Sequence, residues 1–108
     1  MDPQLQAKLL YCTMANVMLL STKHSLSLRE AVILLLVFHL DGSCRVKLMC
    51  NTLEIPNNTA STHIRRLIQK GFAIRTMCRH DARSHIVTLT RKGKNLAKKF
   101  TDAVQDYF

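Results

Sequence analysis

The 108-residue sequence lacks the features expected of a membrane-spanning, secreted or zinc-binding protein. Its longest apolar run, residues 31–38, is far shorter than the roughly 20 residues that span a bilayer. The N-terminus "MDPQLQAKLL" opens with an acid instead of a basic leader. The four cysteines form no C-x-x-C pair, and Cys78, His80 and His85 lack the paired spacing of zinc ligands. We therefore expect a cytoplasmic protein without membrane contact, metal or cofactor.

Acidic residues are scarce in the second half of the chain. Residues 1–43 hold three basic and three acidic residues, whereas residues 44–99 hold thirteen basic residues against only Glu54 and Asp81. A neutral half followed by a strongly basic half favours a polyanionic partner, with a solvated basic surface as the alternative. The sequence has no glycine-rich phosphate loop and no evident nucleophile beside an acid partner, so we do not expect an enzyme.

Helical periodicity governs the N-terminal part of the chain. Apolar residues recur near a 3.6-residue period over residues 3–21, which predicts a helix with a broad apolar face. Ser27 and Glu30 then form a capping-box pattern ahead of an almost wholly apolar segment that ends at Asp41-Gly42. This second segment is expected to be the most buried helix of the domain.

Two further helices with a tight turn between them are predicted next. Val46, Met49, Cys50 and Leu53 follow helical spacing and predict a short helix with one buried face. Pro56 disfavours helix in the residue before it, and the two asparagines after it are good N-cap residues, so a helix is expected over residues 58–70. This succession is typical of a helix-turn-helix.

The helix over residues 58–70 has a polar face without acids. At 100° per residue, its outward side holds Asn58, Thr59, Thr62, Arg65, Arg66 and Gln69. In a DNA major groove, arginine can hydrogen-bond to guanine, whereas asparagine and glutamine can hydrogen-bond to adenine. Any surface helix has a polar face, but the absence of acids and the proline-asparagine entry favour DNA reading.

Strand-forming residues follow Gly71. Residues 72–79 and 85–90 alternate and are rich in Thr and Val, which predicts two strands joined by a five-residue turn, "HDARS". A helix-turn-helix followed at once by a β-hairpin is a winged helix. The expected fold is therefore mainly α with a small β-hairpin, an α+β winged helix-turn-helix.

The segment from Gly71 to Gly93 resembles the wing of the MarR family of transcriptional regulators, G-(x3)-R-(x5)-D-x-R-(x3)-[VI]-x-L-T-x-x-G. Its anchors fall without a gap on Arg75, Asp81, Arg83, Val87, Leu89 and Thr90. The similarity extends back through helix 58–70 to the capped helix at Ser27 and covers roughly residues 26–93. We expect one domain, with a winged helix-turn-helix core at residues 27–90 between helices at 3–21 and 91–108.

The resemblance implies a sequence-specific regulator of transcription that binds double-stranded DNA. Helix 58–70 would lie in the major groove and wing 79–85 in the minor groove, where Arg83 enters and Asp81 pairs with an arginine to hold the wing. Arg79 is also assigned to the wing. The residues assigned to contacts with the DNA backbone are Arg45, Lys47 and Arg75. The alternative is a protein-interaction module, an anti-repressor or accessory factor, that does not read DNA sequence.

The same resemblance implies a homodimer, most simply a repressor on an inverted repeat. Members of the family continue past the L-T-x-x-G element into long dimerising helices, whereas fifteen residues follow Gly93 here. An apolar stripe on this terminal helix has too little of its own domain to cover it, so we expect it to pack on the N-terminal helix of a second chain. Intramolecular packing is the alternative. The predicted interface comprises Leu5, Leu9, Cys12, Leu96, Phe100, Val104 and Tyr107.

An effector is also implied by the resemblance. Relatives respond to small anionic or phenolic compounds, or to oxidation of a cysteine. Cys12, in the expected interface, and Cys78, among Arg75, Arg79 and His80, are the candidate redox sites because neighbouring cations lower a thiol pKa. A small buried hydrophobe is the alternative role for each cysteine.

Overall fold

A computed structural model describes residues 2–78 and 81–104, and its description leaves out the side chains at 78, 81–83 and 104. The described residues form, in order, α1 (Pro3–Lys23), α2 (Leu28–His39), β1 (Ser43–Arg45), α3 (Val46–Leu53), α4 (Asn57–Gln69), β2 (Ala73–Cys78), β3 (Asp81–Leu89) and α5 (Arg91–Val104). Helices with a small antiparallel sheet confirm the predicted fold class. None of the helices described has the length and apolar character needed to cross a bilayer.

The two N-terminal helices begin where their capping residues predict. Asp2 caps α1 by accepting the Gln4 N–H at 3.2 Å. The predicted capping box of α2 is present, because the Glu30 N–H donates to Ser27 Oγ at 3.1 Å and the Ser27 N–H donates to Glu30 Oε2 at 2.6 Å. Both N-terminal ends therefore follow from local sequence, although α1 runs two residues beyond the predicted end.

The turn between α3 and α4 differs in detail from the prediction. Glu54 ends α3 in the left-handed conformation with φ 53°, and its neighbour Ile55 donates its N–H to the Cys50 carbonyl at 3.1 Å. Pro56 is the N-cap of α4, which therefore begins one residue earlier than expected. Proline suits this position because its fixed φ is compatible with a helix entry and it has no N–H to satisfy.

A strand that the sequence did not predict pairs with the hairpin. β1 lies antiparallel to β3, with Ser43 opposite Thr88 and Arg45 opposite Ile86, in a sheet of order β1-β3-β2. The hydroxyls of Ser43 and Thr88 lie 3.0 Å apart across this pair. With only three residues, β1 is too short to have a periodic signal of its own, and its pairing with a distant strand makes it a strand.

The predicted five-residue turn over residues 80–84 is wrong, because β3 already begins at Asp81. Met77 pairs with His85 and Cys78 pairs with Asp81, so one step along β2 corresponds to four steps along β3. The three extra residues of β3, at 82–84, shift the register of the pairing, as a β-bulge or a similar irregularity does. Arg79 and His80, which join the strands, lie outside the described residues.

The C-terminal helix completes the core of its own chain. α5 packs on α1 and α2, and Leu96 and Phe100 are 3% and 2% exposed. The expectation that this domain could not cover the apolar stripe of α5 is therefore corrected for these two residues, because α1 and α2 together make a surface wide enough to bury them. The largest fully buried residues of the remaining core are Ile33, Leu34, Met49, Ile64, Leu67, Val37 and Val87.

Candidate nucleic-acid interface

A groove of about 740 Å³ lies between α3, the start of α4 and the β2–β3 hairpin. Its lining contains Arg45, Lys47 and Arg75, the three residues assigned from sequence to the DNA backbone, and none of the described lining residues is Asp or Glu. Asn57, Ser61 and His85 also line it. We call this the basic groove. Residues more than 25 positions apart in sequence meet here because β1 and β2 flank the same strand, β3.

The start of α4 is held against α3 by a side-chain hydrogen bond. The Cys50 thiol donates to Asn57 Oδ1 at 3.2 Å. Asn57 therefore does not cap its own helix, and no side chain caps the N-terminus of α4. The next residue, Asn58, accepts the Thr59 N–H on its Oδ1 at 2.9 Å. Unpaired N–H groups at a helix start attract anions, so this end of α4 adds to the positive potential of the groove.

The residues predicted to face DNA lie on the outer side of α4. Asn58, Arg65, Arg66 and Gln69 are exposed, and Thr59 and Thr62 are half-buried. Thr62 also donates its hydroxyl to the Asn58 carbonyl at 2.9 Å, which holds its side chain along the helix. The opposite side carries the buried residues Ala60, His63, Ile64 and Leu67. The outer face of α4 therefore presents amides and arginines to solvent.

Sequence reasoning missed two polar residues of α4 that line the basic groove. The sequence predicts only an N-cap role for Asn57 and places Ser61 on neither face of the helix. The two residues are four positions apart, so they lie one above the other on a helix, and that spacing was the available signal. The side of α4 that they occupy could be recognised only once α3 and the hairpin were seen beside it.

A buried ionic contact anchors α4 to α2. Glu30 is 1% exposed, and its Oε2 lies 3.6 Å from Lys70 Nζ just after the end of α4. Burial alone would raise the pKa of Glu30, but the Ser27 N–H and the Lys70 ammonium outweigh it and hold this pKa below its usual value. Lys70 also donates to the Ser25 carbonyl. These contacts join the N-terminal end of α2 to the C-terminal end of α4.

His63, in the middle of α4, faces the same region of α2. Burial lowers its pKa, Glu30 opposes that shift, and Arg66 and Arg29 add to it. Its Nδ1 is buried without a hydrogen-bond partner. Since the neutral form is favoured, His63 supports α4 as an uncharged side chain near neutral pH.

The wing residues assigned from sequence are only partly within the described structure. The backbones of Asp81 and Arg83 lie in β3, and their side chains are outside the description, as is Arg79. His85, two residues beyond Arg83, does line the basic groove. Their roles in a minor groove stay predictions.

The candidate dimer residues fall into three groups. Leu5 is 48% exposed, and Leu9 and Cys12 are half-buried on α1. Leu96 and Phe100 lie in the core of the chain, whereas the Val104 side chain and Tyr107 are outside the described residues. Sequence reasoning missed the most exposed apolar face of α1, formed by Leu10, Tyr11, Met14 and Met18, each 60% to 63% exposed.

In the described part of the chain, the cysteines do not cluster with other residues that could bind a metal ion. Cys12 and Cys50 are half-buried thiols, and Cys44 is a buried thiol whose pKa is raised by burial. The Cys78 side chain and His80 lie outside the described residues, so the redox prediction for Cys78 stays untested.

Comparison with solved structures identifies the fold. The chain superposes on the transcriptional regulator Tm0710 from Thermotoga maritima with a TM-score of 0.81 at 17% identity, covering 96% of this chain and 72% of that one. For a MarR transcriptional regulator from Methanosarcina mazei Go1 the TM-score is 0.77 at 19% identity, covering 94% and 72%. Reduced AbfR bound to DNA gives 0.74 at 19% identity, covering 94% and 68%.

No protein-family model and no curated protein matches the sequence. The solved structures therefore carry the comparison, and at these identities they establish the fold. The winged helix-turn-helix predicted from the order of the helices and the β-hairpin is confirmed as the fold that MarR-type regulators also have.

Proposed function

We propose that the protein is a sequence-specific regulator of transcription that binds double-stranded DNA. The observation that carries the proposal is the basic groove, because Arg45, Lys47 and Arg75 converge there beside an outer face of α4 that contains no acid. Phosphates suit the cations of the groove, and base edges suit the amides and arginines of α4. A structurally similar protein, AbfR, is described in a complex with DNA, which supports the same use of this fold.

In the proposed complex, α4 lies in the major groove and the wing reaches the adjacent minor groove. Asn58, Thr62, Arg65 and Gln69 are the base-reading candidates, and Arg83 is the wing residue offered to the minor groove. A protein-interaction module is the less favoured alternative, because a protein-binding surface is rich in aromatic and other apolar anchors. The exposed residues of α4 include none.

Selection of bound duplexes from a random pool tests the proposal. The wild-type protein is expected to enrich an inverted repeat, since a two-fold dimer places two α4 helices about 34–36 Å apart. Arg65→Ala is expected to lose the preference at one base pair per half-site, worth about 1–3 kcal/mol. Arg83→Ala is expected to weaken binding and to remove any preference flanking the repeat. Enrichment of no sequence by the wild type would favour the protein-interaction alternative.

The proposal includes a homodimer, which we now assign to the outer face of α1. Leu10, Tyr11, Met14 and Met18 lie on one side of this helix and are exposed in the single chain. A contiguous apolar face of this kind marks an interaction site, and a second copy of the chain offers the same face for a two-fold contact. With the dimer on DNA, repression follows from occupying a promoter without further machinery.

Light scattering at micromolar concentration tests the dimer. The wild type is expected at twice the 12.3 kDa chain mass, and Met14→Glu at the mass of one chain, because the new carboxylate would be buried without a partner. Met77→Glu is the matched control, since Met77 is as exposed as Met14 but lies on β2. A wild type of only 12.3 kDa would contradict the homodimer and leave the DNA-binding proposal as that of a monomer.

A further inference from the structure

A second basic surface lies beside α4, on the side away from the basic groove. Arg29, in the first turn of α2, and Arg66 of α4 are both exposed. Arg29 precedes Glu30, whose Oε2 lies 3.6 Å from Lys70 Nζ, and Lys70 follows Arg66 by one helical turn on the same side. Both arginines also help to lower the pKa of the buried His63. The two arginines therefore belong to one region of the surface, contributed by two helices. We call this surface the α2 flank.

Helix geometry separates the α2 flank from the basic groove. An α-helix turns by about 100° per residue, so Arg66 points about 180° away from Asn57, which lines the groove. Asn58, Thr62, Arg65 and Gln69 fall between these two directions, at about 80° to 140° from Asn57. Arg66 therefore lies at the edge of the base-facing sector, next to α2.

The acid nearest to the α2 flank does not neutralise it at the surface. Glu30 follows Arg29 directly, but it is 1% exposed and its Oε2 is held by the Ser27 N–H and Lys70. The N-terminus of α2 adds the positive end of a helix dipole near Arg29. The flank therefore presents positive charge to solvent.

We propose that Arg29 and Arg66 form a second row of contacts to the DNA backbone, on the strand opposite to the one bound by the basic groove. The proposal rests on the DNA-binding function proposed above. A helix with its side chains is about 10–12 Å across and the major groove is about 12 Å wide. When α4 lies in the major groove, the cations on its two sides therefore approach the two DNA strands. Arg66 becomes a positioning residue instead of the base reader expected from sequence.

Salt titrations of the single variants test this assignment. Arg29→Ala and Arg66→Ala are each expected to reduce the slope of log K against log salt by about 0.9 per bound chain, which is about 1.8 for the proposed dimer. Between 50 and 200 mM salt, each variant would then lose about 12-fold less affinity than the wild type as a dimer, or about 3.5-fold less as a monomer. Each is also expected to weaken binding to the selected site and to unrelated duplexes by the same factor. Lys8→Ala, an exposed lysine on α1, is the control and should leave the slope unchanged.

Lysine substitutions separate positioning from base reading. A lysine keeps a point charge for phosphate but loses the planar fork that reads guanine. Arg66→Lys should therefore preserve affinity and base preference, whereas Arg65→Lys should lose the preference at one base pair. Unchanged unfolding midpoints are expected, because both arginines are exposed.

The outcomes distinguish this inference from the proposed function. If the wild type binds DNA while neither Arg29→Ala nor Arg66→Ala alters the salt slope, the α2 flank is not a backbone contact. If Arg66→Lys changes the preference at a defined base pair, Arg66 reads bases and the assignment is overturned. A wild type that binds no duplex overturns the proposed function and this inference together.

Discussion

Raising the salt concentration from 50 to 200 mM is expected to weaken DNA binding by about 10³ to 10⁵-fold. The physical reason is the release of counterions from phosphates, which each cation of the interface replaces. That range corresponds to about 6–10 neutralised phosphates. A dimer can supply this number of cations, because each half contributes the basic groove and the arginines of α4 and the wing. Fluorescence anisotropy of a labelled duplex at several salt concentrations measures the slope directly.

A charge-matched pair of triple variants shows whether the basic groove is responsible. Removing Arg45, Lys47 and Arg75 as alanines should reduce the slope by about three times 0.9 per monomer site. Replacing Arg91, Lys94 and Lys98, which are exposed on α5, removes the same charge from another surface and should change the slope much less. Equal effects of the two variants would indicate a general response to net charge, and a flat wild-type response would count against DNA binding.

Replacing Gly93 by alanine is expected to destabilise the fold by about 3 kcal/mol or more, at or above the upper end of overpacking. A Cβ at this position would lie 2.0 Å from the Phe72 carbonyl oxygen, which is backbone and cannot rotate away. That oxygen also accepts the Thr90 N–H at 3.0 Å, so relieving the clash would cost this hydrogen bond. Urea unfolding followed by circular dichroism measures the loss.

Gly71→Ala is the control for this prediction. Gly71 has φ +82°, and an added Cβ would meet only the Lys92 side chain at 3.7 Å. The substitution is expected to lower the free energy of unfolding by about 1–2 kcal/mol, only because alanine is strained in the left-handed backbone conformation. If Gly93→Ala proved no more damaging than Gly71→Ala, the close approach of α5 to the residue before β2 would not limit stability.

The last part of the wing motif has a structural explanation. Thr90 precedes α5, and its Oγ1 accepts the Gly93 N–H at 3.1 Å, as an N-cap residue does. The Thr90 hydroxyl also donates to the Gly71 carbonyl at 2.6 Å, which ties the start of α5 to the end of α4. Thr90 and Gly93 therefore both stabilise the junction at which α5 follows β3, close to Phe72.

The sequence by itself determined the helices, the fold class and the polar character of α4. Those features depend on residues close together in the chain, such as the capping pair Ser27 and Glu30 or the periodic apolar face of α4. The alternating, Thr- and Val-rich residues predicted the hairpin correctly but not its turn, because the register shift in β3 depends on how two strands pair and not on the turn residues.

Only the tertiary structure decided which side chains meet. Strand β1 is three residues long and exists because it pairs with β3, and that pairing brings Arg45 to the groove that also contains Arg75 and His85. The apolar stripe of α5 is a second example. From the sequence it could pack in the core of its own chain or on a partner, and the structure places Leu96 and Phe100 in the core. Periodicity reports which face of an element is apolar, but the partner of that face is set by long-range packing.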